Sequence, residues 1–153
     1  MKKIISSVLA CVLLLAVCVG CGKREPEPSF PPQQTVQALL DSGAFSETLE
    51  ELDPMLLFSL DGEADDYEGS VLYYSTGATS EAVAVIFAKD ADQAAAAVEV
   101  LNTWVENQIE AVRNYQPDEV EKLEHAIVEA RGNTVLLAVA ADWEKARAAI
   151  PAE

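Results

Sequence analysis

The chain has 153 residues, enough for one domain, with 10 lysines and arginines against 26 aspartates and glutamates and a net charge of −16. A chain this acidic lacks the basic footprint that a phosphate backbone requires, which excludes nucleic acid, and anionic lipid headgroups repel it. All three cysteines, Cys11, Cys18 and Cys21, stand at or before position 21, so the rest of the chain holds no disulfide, thiolate metal site or cysteine nucleophile.

Met1-Lys2-Lys3 opens the chain, and an apolar run from Ile4 to Gly20 follows, broken by Ser6 and Ser7. That length is at the low edge for a membrane-spanning helix and suits a signal peptide with a small-residue end. Val19-Gly20-Cys21 places small residues before a cysteine, as lipoprotein processing needs. Cys18, where an aliphatic is usual, is a small hydrophobe. The expectation is a signal peptide over residues 1–20, whose removal leaves Cys21 lipidated on its thiol and as the new N-terminus. Cys11 follows a local match, Val8-Leu9-Ala10, but the apolar run before it is too short. Two alternatives stay open. One is an uncleaved anchor, for which Lys2 and Lys3 against Lys23 and Arg24 leave the orientation unset; the other is cleavage without lipid. Removing Lys2 and Lys3 from the 10 basic residues leaves 8 against 26 acidic ones, a net −18.

Residues 21–34 contain Pro26, Pro28, Pro31 and Pro32 and read as an extended spacer. Val36, Leu39 and Leu40 then repeat at helical spacing, with Gly43 as the stop. Ser46 is placed to cap a second short helix carrying Leu49 and Leu52, ending before Pro54. Leu56 to Leu60 is ambiguous between a helical turn and a strand, and Asp61 to Gly69 is a polar loop. Two strands follow, Val71 to Ser75 and Glu81 to Ala88, joined by Thr76 to Ser80. The second is apolar on both faces and belongs in the middle of a sheet. Asp90 with Gln93 forms a capping box that opens a helix to about Asn114, in which four alanines, 94–97, permit close approach to the sheet. Pro117 starts a short helix through Leu123. Ala126 to Arg131, Gly132-Asn133 and Thr134 to Ala141 read as a hairpin, and Asp142 caps a last helix over 143–149. The expected domain, residues 35–153, is therefore α+β. It has a mainly antiparallel sheet of about four strands, the 90–114 helix packed across it, and short N- and C-terminal helices.

From about Glu81 to Ile150 the order of features is familiar. The strand Ala82 to Asp90, the alanine-rich helix, Tyr115-Gln116-Pro117-Asp118-Glu119, the Gly132-Asn133 hairpin and the Asp142-led helix succeed one another. This resembles the Gram-positive lipoprotein family catalogued as domain of unknown function 4358. The resemblance implies a small secreted domain behind a lipid anchor; it implies no activity and carries over no catalytic or ligand-binding residue.

The residues themselves offer little chemistry. Outside the leader, His125 is the one histidine, and the hydroxyls of Ser75, Thr76, Thr79 and Ser80 lack a nucleophile-elbow context. Zinc has no ligand set. Asp61, Glu63, Asp65, Asp66 and Glu68 alternate as weak calcium ligands would, yet fail the helix–loop–helix calcium pattern, so a solvated loop is the other reading. Tyr67, Tyr73, Tyr74 and Trp104 are either a sugar-stacking platform or core. No cofactor is implied. The functional expectation is a lipid-anchored, extracytoplasmic, non-enzymatic binding or accessory module at the cell surface. It would touch the membrane only through Cys21 and serve a protein or cell-wall partner. A weak cation-binding module on residues 61–68, or an enzyme with an unrecognised site, is the alternative.

Overall fold

The computed structural model describes residues 30–152 except Ala78; the leader, Cys21 and most of the proline-rich stretch lie outside the described residues. The chain runs α1 (Pro32–Asp41), β1 (Glu50–Leu52), α2 (Pro54–Leu57), a 3-10 turn (Ala64–Tyr67), β2 (Val71–Tyr74), β3 (Ala82–Phe87), α3 (Ala91–Val112), α4 (Pro117–Glu124), β4 (Ile127–Arg131), β5 (Thr134–Val139) and α5 (Trp143–Ala149). All strand pairings are antiparallel, in the order β1-β2-β3-β5-β4.

The apolar strand β3 occupies the centre of this sheet, as its two-faced pattern requires. Ala82, Ala84 and Ile86 point to one side with Val135, Leu137 and Val139, where Leu101 and Trp104 of α3 cover them. Val83 and Val85 point to the other side with Leu136 and Ala138, beneath Val36 and Leu39 of α1 and Ala146 of α5. The result is a sheet clad by helices on both faces. Because its residues alternate between two packed cores, β3 needs apolar side chains at every position. In α3 the helical period selects among the four alanines: Ala94 and Ala97 are buried against the small side chains of the sheet, while Ala95 and Ala96 face solvent.

Local chemistry explains the element ends. Asp90 accepts from the Gln93 N–H at 2.8 Å and starts α3, and Asp142 accepts from the Lys145 N–H at 3.0 Å and starts α5. Pro117 sits in the first turn of α4. Gly132 adopts φ 59° as the first of the two residues turning β4 into β5, a conformation that costs glycine little.

The sheet has five strands where about four were expected, and β1 is the addition. The stretch read as a Ser46-capped helix is extended because Ser46 is occupied elsewhere. Its N–H and hydroxyl both donate to the Glu81 carboxylate. The following residues then pair with β2, Glu50 opposite Tyr74 and Leu52 opposite Leu72. Asp53 accepts from the Met55 N–H at 2.9 Å, which resolves the ambiguous stretch as the short α2 followed by extended chain.

The fold also reaches back into the stretch read as spacer. Helix α1 starts at Pro32, and Phe30 is wholly buried, its N–H donating to Thr134 Oγ1 at 3.1 Å and its ring lying 4.3 Å from the Arg131 guanidinium carbon. Among the described residues no helix is long and apolar enough to cross a membrane.

Candidate functional site

Antiparallel register gives the sheet two distinct ends. At one, Phe87 faces Thr134 beside Phe30; at the other, Ala82 faces Val139 and Tyr74. Charged and hydroxyl side chains gather at this second end, where β3 begins.

Glu81 precedes the apolar strand and has no exposed surface. A carboxylate there must be matched by donors or its burial would oppose folding. Ser46 supplies two, its hydroxyl and its N–H at 2.8 Å, and Lys122 of α4 supplies an ammonium at 2.9 Å. One turn back on α4, Glu119 stands 2.9 Å from the same ammonium and accepts from the Ser80 N–H at 2.8 Å. Beside them Glu47 accepts from the hydroxyls of Ser75 and, at 2.6 Å, Thr79. Three carboxylates and one ammonium thus join the 46–47 segment, the β2–β3 connection and α4.

Two groups of this cluster are shifted by their partners. Burial alone pushes Lys122 down, but its hydrogen bonds to Glu119 and Glu81, with their charges, outweigh it and hold the ammonium above its ordinary value. Hydroxyl donation by Ser75 and Thr79 holds Glu47 below the usual carboxylate range, which makes it a poor base for activating either hydroxyl. The chemistry of the cluster is cross-bracing.

The residues singled out in the sequence fall elsewhere. His125 ends α4, its ring stacked 4.5 Å from that of Trp143 and its Nδ1 2.9 Å from the Glu121 carbonyl oxygen, with no bond to the hydroxyls of residues 75–80. Ser75 and Ser80 are buried, and Thr76 is exposed. In the acidic loop Asp66 accepts from the Glu63 N–H at 3.3 Å and lies 3.5 Å from the Lys89 ammonium, while the Tyr67 hydroxyl donates to the Asp61 carbonyl at 2.6 Å. Asp61, Glu63, Asp65 and Glu68 are exposed around it. Among the described residues no three acidic, histidine or cysteine side chains converge as metal ligands. The aromatic residues do not form a platform either. Tyr67 and Trp104 are buried, and Phe58 and Tyr74 meet Trp104 edge-on at 5.5 and 6.2 Å. Tyr73 is half-buried against the opposite core. Cys21 lies outside the described residues.

Sequence reasoning missed the brace. Its one visible signal was Glu81, a charge heading a wholly apolar strand. Tyr115, part of the step that carries the family resemblance, is 86% exposed in the turn between α3 and α4.

The architecture is that of a small α+β domain, a five-stranded antiparallel sheet with one long helix across it. Residues 50–140 match the family described as domain of unknown function DUF4358, and the chain belongs to that family. The match runs from β1 to just past β5, so α1 and α5, which clad one face, lie outside it. No curated protein and no solved structure matches the chain.

Proposed function

We propose that the protein is a lipid-anchored extracytoplasmic lipoprotein of the Gram-positive kind its sequence resembles, with a non-enzymatic binding or accessory module at the cell surface. The observation that carries this reading is the segment from Lys2 to Cys21: a basic start, an apolar run, and Val19-Gly20-Cys21 at its end. A thioether-linked diacylglycerol supplies two hydrocarbon chains, enough for stable anchoring where one chain is marginal. The brace at Glu81, Glu119 and Lys122 supports a scaffold role, since its carboxylates are committed to holding segments together.

The test is intact mass and detergent-phase partition of the expressed chain, wild type beside Cys21→Ala. The expected wild-type product lacks residues 1–20, carries diacylglycerol mass and partitions with membranes, and the variant loses all three properties. A wild-type product that keeps residues 1–20, or lacks lipid, overturns the proposal.

A further inference from the structure

An open sheet has two edges whose backbone groups template pairing with another strand, and proteins blunt them by shortness, charge, proline or a bulge. The two edges of this sheet differ. Strand β1 is three residues long and carries Glu50 and Glu51. Strand β4 is five residues long, with no proline and no bulge in its register with β5, and its two charges, Glu129 and Arg131, are of opposite sign. Arg131 faces Thr134 across the two-residue turn. Ile127, Glu129 and Arg131 therefore turn their N–H and C=O groups to β5, and Val128 and Ala130 turn theirs outward. Among the described residues nothing bonds to the backbone of Val128 or Ala130 across this edge. Ala130 is exposed and Val128 half-buried. The helix above lies across β4 and β5. Trp104 of α3 turns towards β2, where it meets Tyr74, so the opposite flank, with Val98, Asn102 and Ile109 at helical spacing, lies on the β4 side. That flank holds no acid; Asp92, Glu99, Glu106 and Glu110 share the outermost stripe of α3.

We propose that β4 joins a second copy of this chain, antiparallel about a two-fold axis through Ala130, so that the two sheets become continuous. Charge selects both the partner and the register. Two copies of net charge −16 repel over most of their surface. At this edge opposite charges meet instead, because an axis at Ala130 sets Glu129 of each copy opposite Arg131 of the other. Glu129 holds its own Arg131 at 2.8 Å through Oε1 alone, which leaves Oε2 for the copy. An axis at Glu129 would set two carboxylates face to face, and an axis at Val128 would set Glu129 opposite Ile127. With the axis at Ala130, the outward N–H and C=O of that residue exchange two bonds with their copies, and its methyl group leaves room for close approach.

The pairing goes beyond the binding-module reading and does not depend on the lipid; intact mass of the same samples reports the anchor separately. The experiment is disulfide capture on the purified full chain, with zwitterionic micelles in excess and copper phenanthroline as oxidant. Three variants are compared with wild type: Ala130→Cys, Glu129→Cys and Leu56→Cys. Across an axis at Ala130 the two Cα atoms of that residue stand about 5.5 Å apart, within disulfide reach. The two copies of residue 129 then stand about 8 Å apart, beyond it. Leu56, 75% exposed on α2, reports random collision, and wild type reports its own cysteines, all at or before position 21. Ala130→Cys is expected to give a product of twice the chain mass faster than the other three proteins. Adding Glu129→Lys sets like charges opposite each other twice and is expected to weaken capture about tenfold. In wild type, amide exchange at Val128 and Ala130 is expected to slow as the chain is concentrated. Four results would each overturn the proposal: capture of Ala130→Cys no faster than of Leu56→Cys or wild type; faster capture of Glu129→Cys; capture unchanged by Glu129→Lys; or exchange at residues 128 and 130 that ignores concentration.

Discussion

Replacing Lys122 with methionine removes the one ammonium of the brace while keeping an unbranched stem to fill the same space. The Lys122 side chain is only 17% exposed, and its nitrogen lies 2.9 Å from both Glu81 and Glu119, whose side chains are 0% and 10% exposed. Taking one partner from a buried ion pair strands the other charge, at a cost of about 3–5 kcal/mol. Here Ser46 still donates twice to Glu81, and the Ser80 N–H still serves Glu119, so the expected cost lies near the lower bound, about 3 kcal/mol. For a domain of this size that lowers the melting temperature by roughly 10 °C. Urea unfolding at neutral pH gives the free energy directly. Adding Glu81→Gln to Lys122→Met removes a stranded charge and is expected to restore about half of the loss. The sign of the pH response is also fixed. The folded-state pKa of Lys122 is raised above 10.5, so its contribution is complete below that value and fades only as pH rises through the higher folded value. The reasoning fails if Lys122→Met costs less than about 1 kcal/mol, the level of a surface pair, or if the second substitution makes matters worse.

Phe30→Ala empties a fully buried site and removes a ring from the Arg131 guanidinium; it is expected to cost about 3–5 kcal/mol in chemical unfolding. A loss below about 1 kcal/mol would mean that the fold does not need Phe30. Glu47 titrates in the opposite sense to Lys122. Its carboxyl is held below 4.5 by Ser75 and Thr79, so its stabilisation is complete above 4.5 and is lost as pH falls through the lower folded value. Melting curves taken through that acid range should decline less steeply for Glu47→Gln than for wild type, and parallel declines would refute the role assigned to the two hydroxyls.

The elements legible in the sequence were those whose signals are local. Val83, Val85 and Ile86 announce a buried strand without reference to the rest of the chain, Asp90 and Asp142 mark helix starts, and Gly132-Asn133 marks a turn. What the sequence hid depends on partners far away. Strand β1 reads Glu50-Glu51-Leu52, with two acids in three residues, and becomes a strand because β2 lies beside it and Glu81, 35 residues on, holds Ser46. Phe30 looked like part of a spacer because its partner Thr134 is 104 residues distant. Only half of the brace was foreseeable: Glu81 is conspicuous at the head of an apolar strand, but nothing local says that Lys122 and Glu119 will meet it. Spacing suggested cation ligands in residues 61–68, where Asp66 caps the 3-10 turn and pairs with Lys89.

Phe30 acts as a stopper, and its position gives the domain a hanging direction. It seats where β3 ends and β5 begins, while the brace lies at the opposite end of β3, about 20 Å away at the usual rise of a strand. Nine residue steps separate Cys21 from Phe30, a leash of at most about 30 Å. Under the proposed anchoring, the hairpin end is moored towards the bilayer, and electrostatic repulsion from anionic lipid keeps the rest aloft. Tyr115, exposed in the turn after α3, stands four residues before Glu119 of the brace.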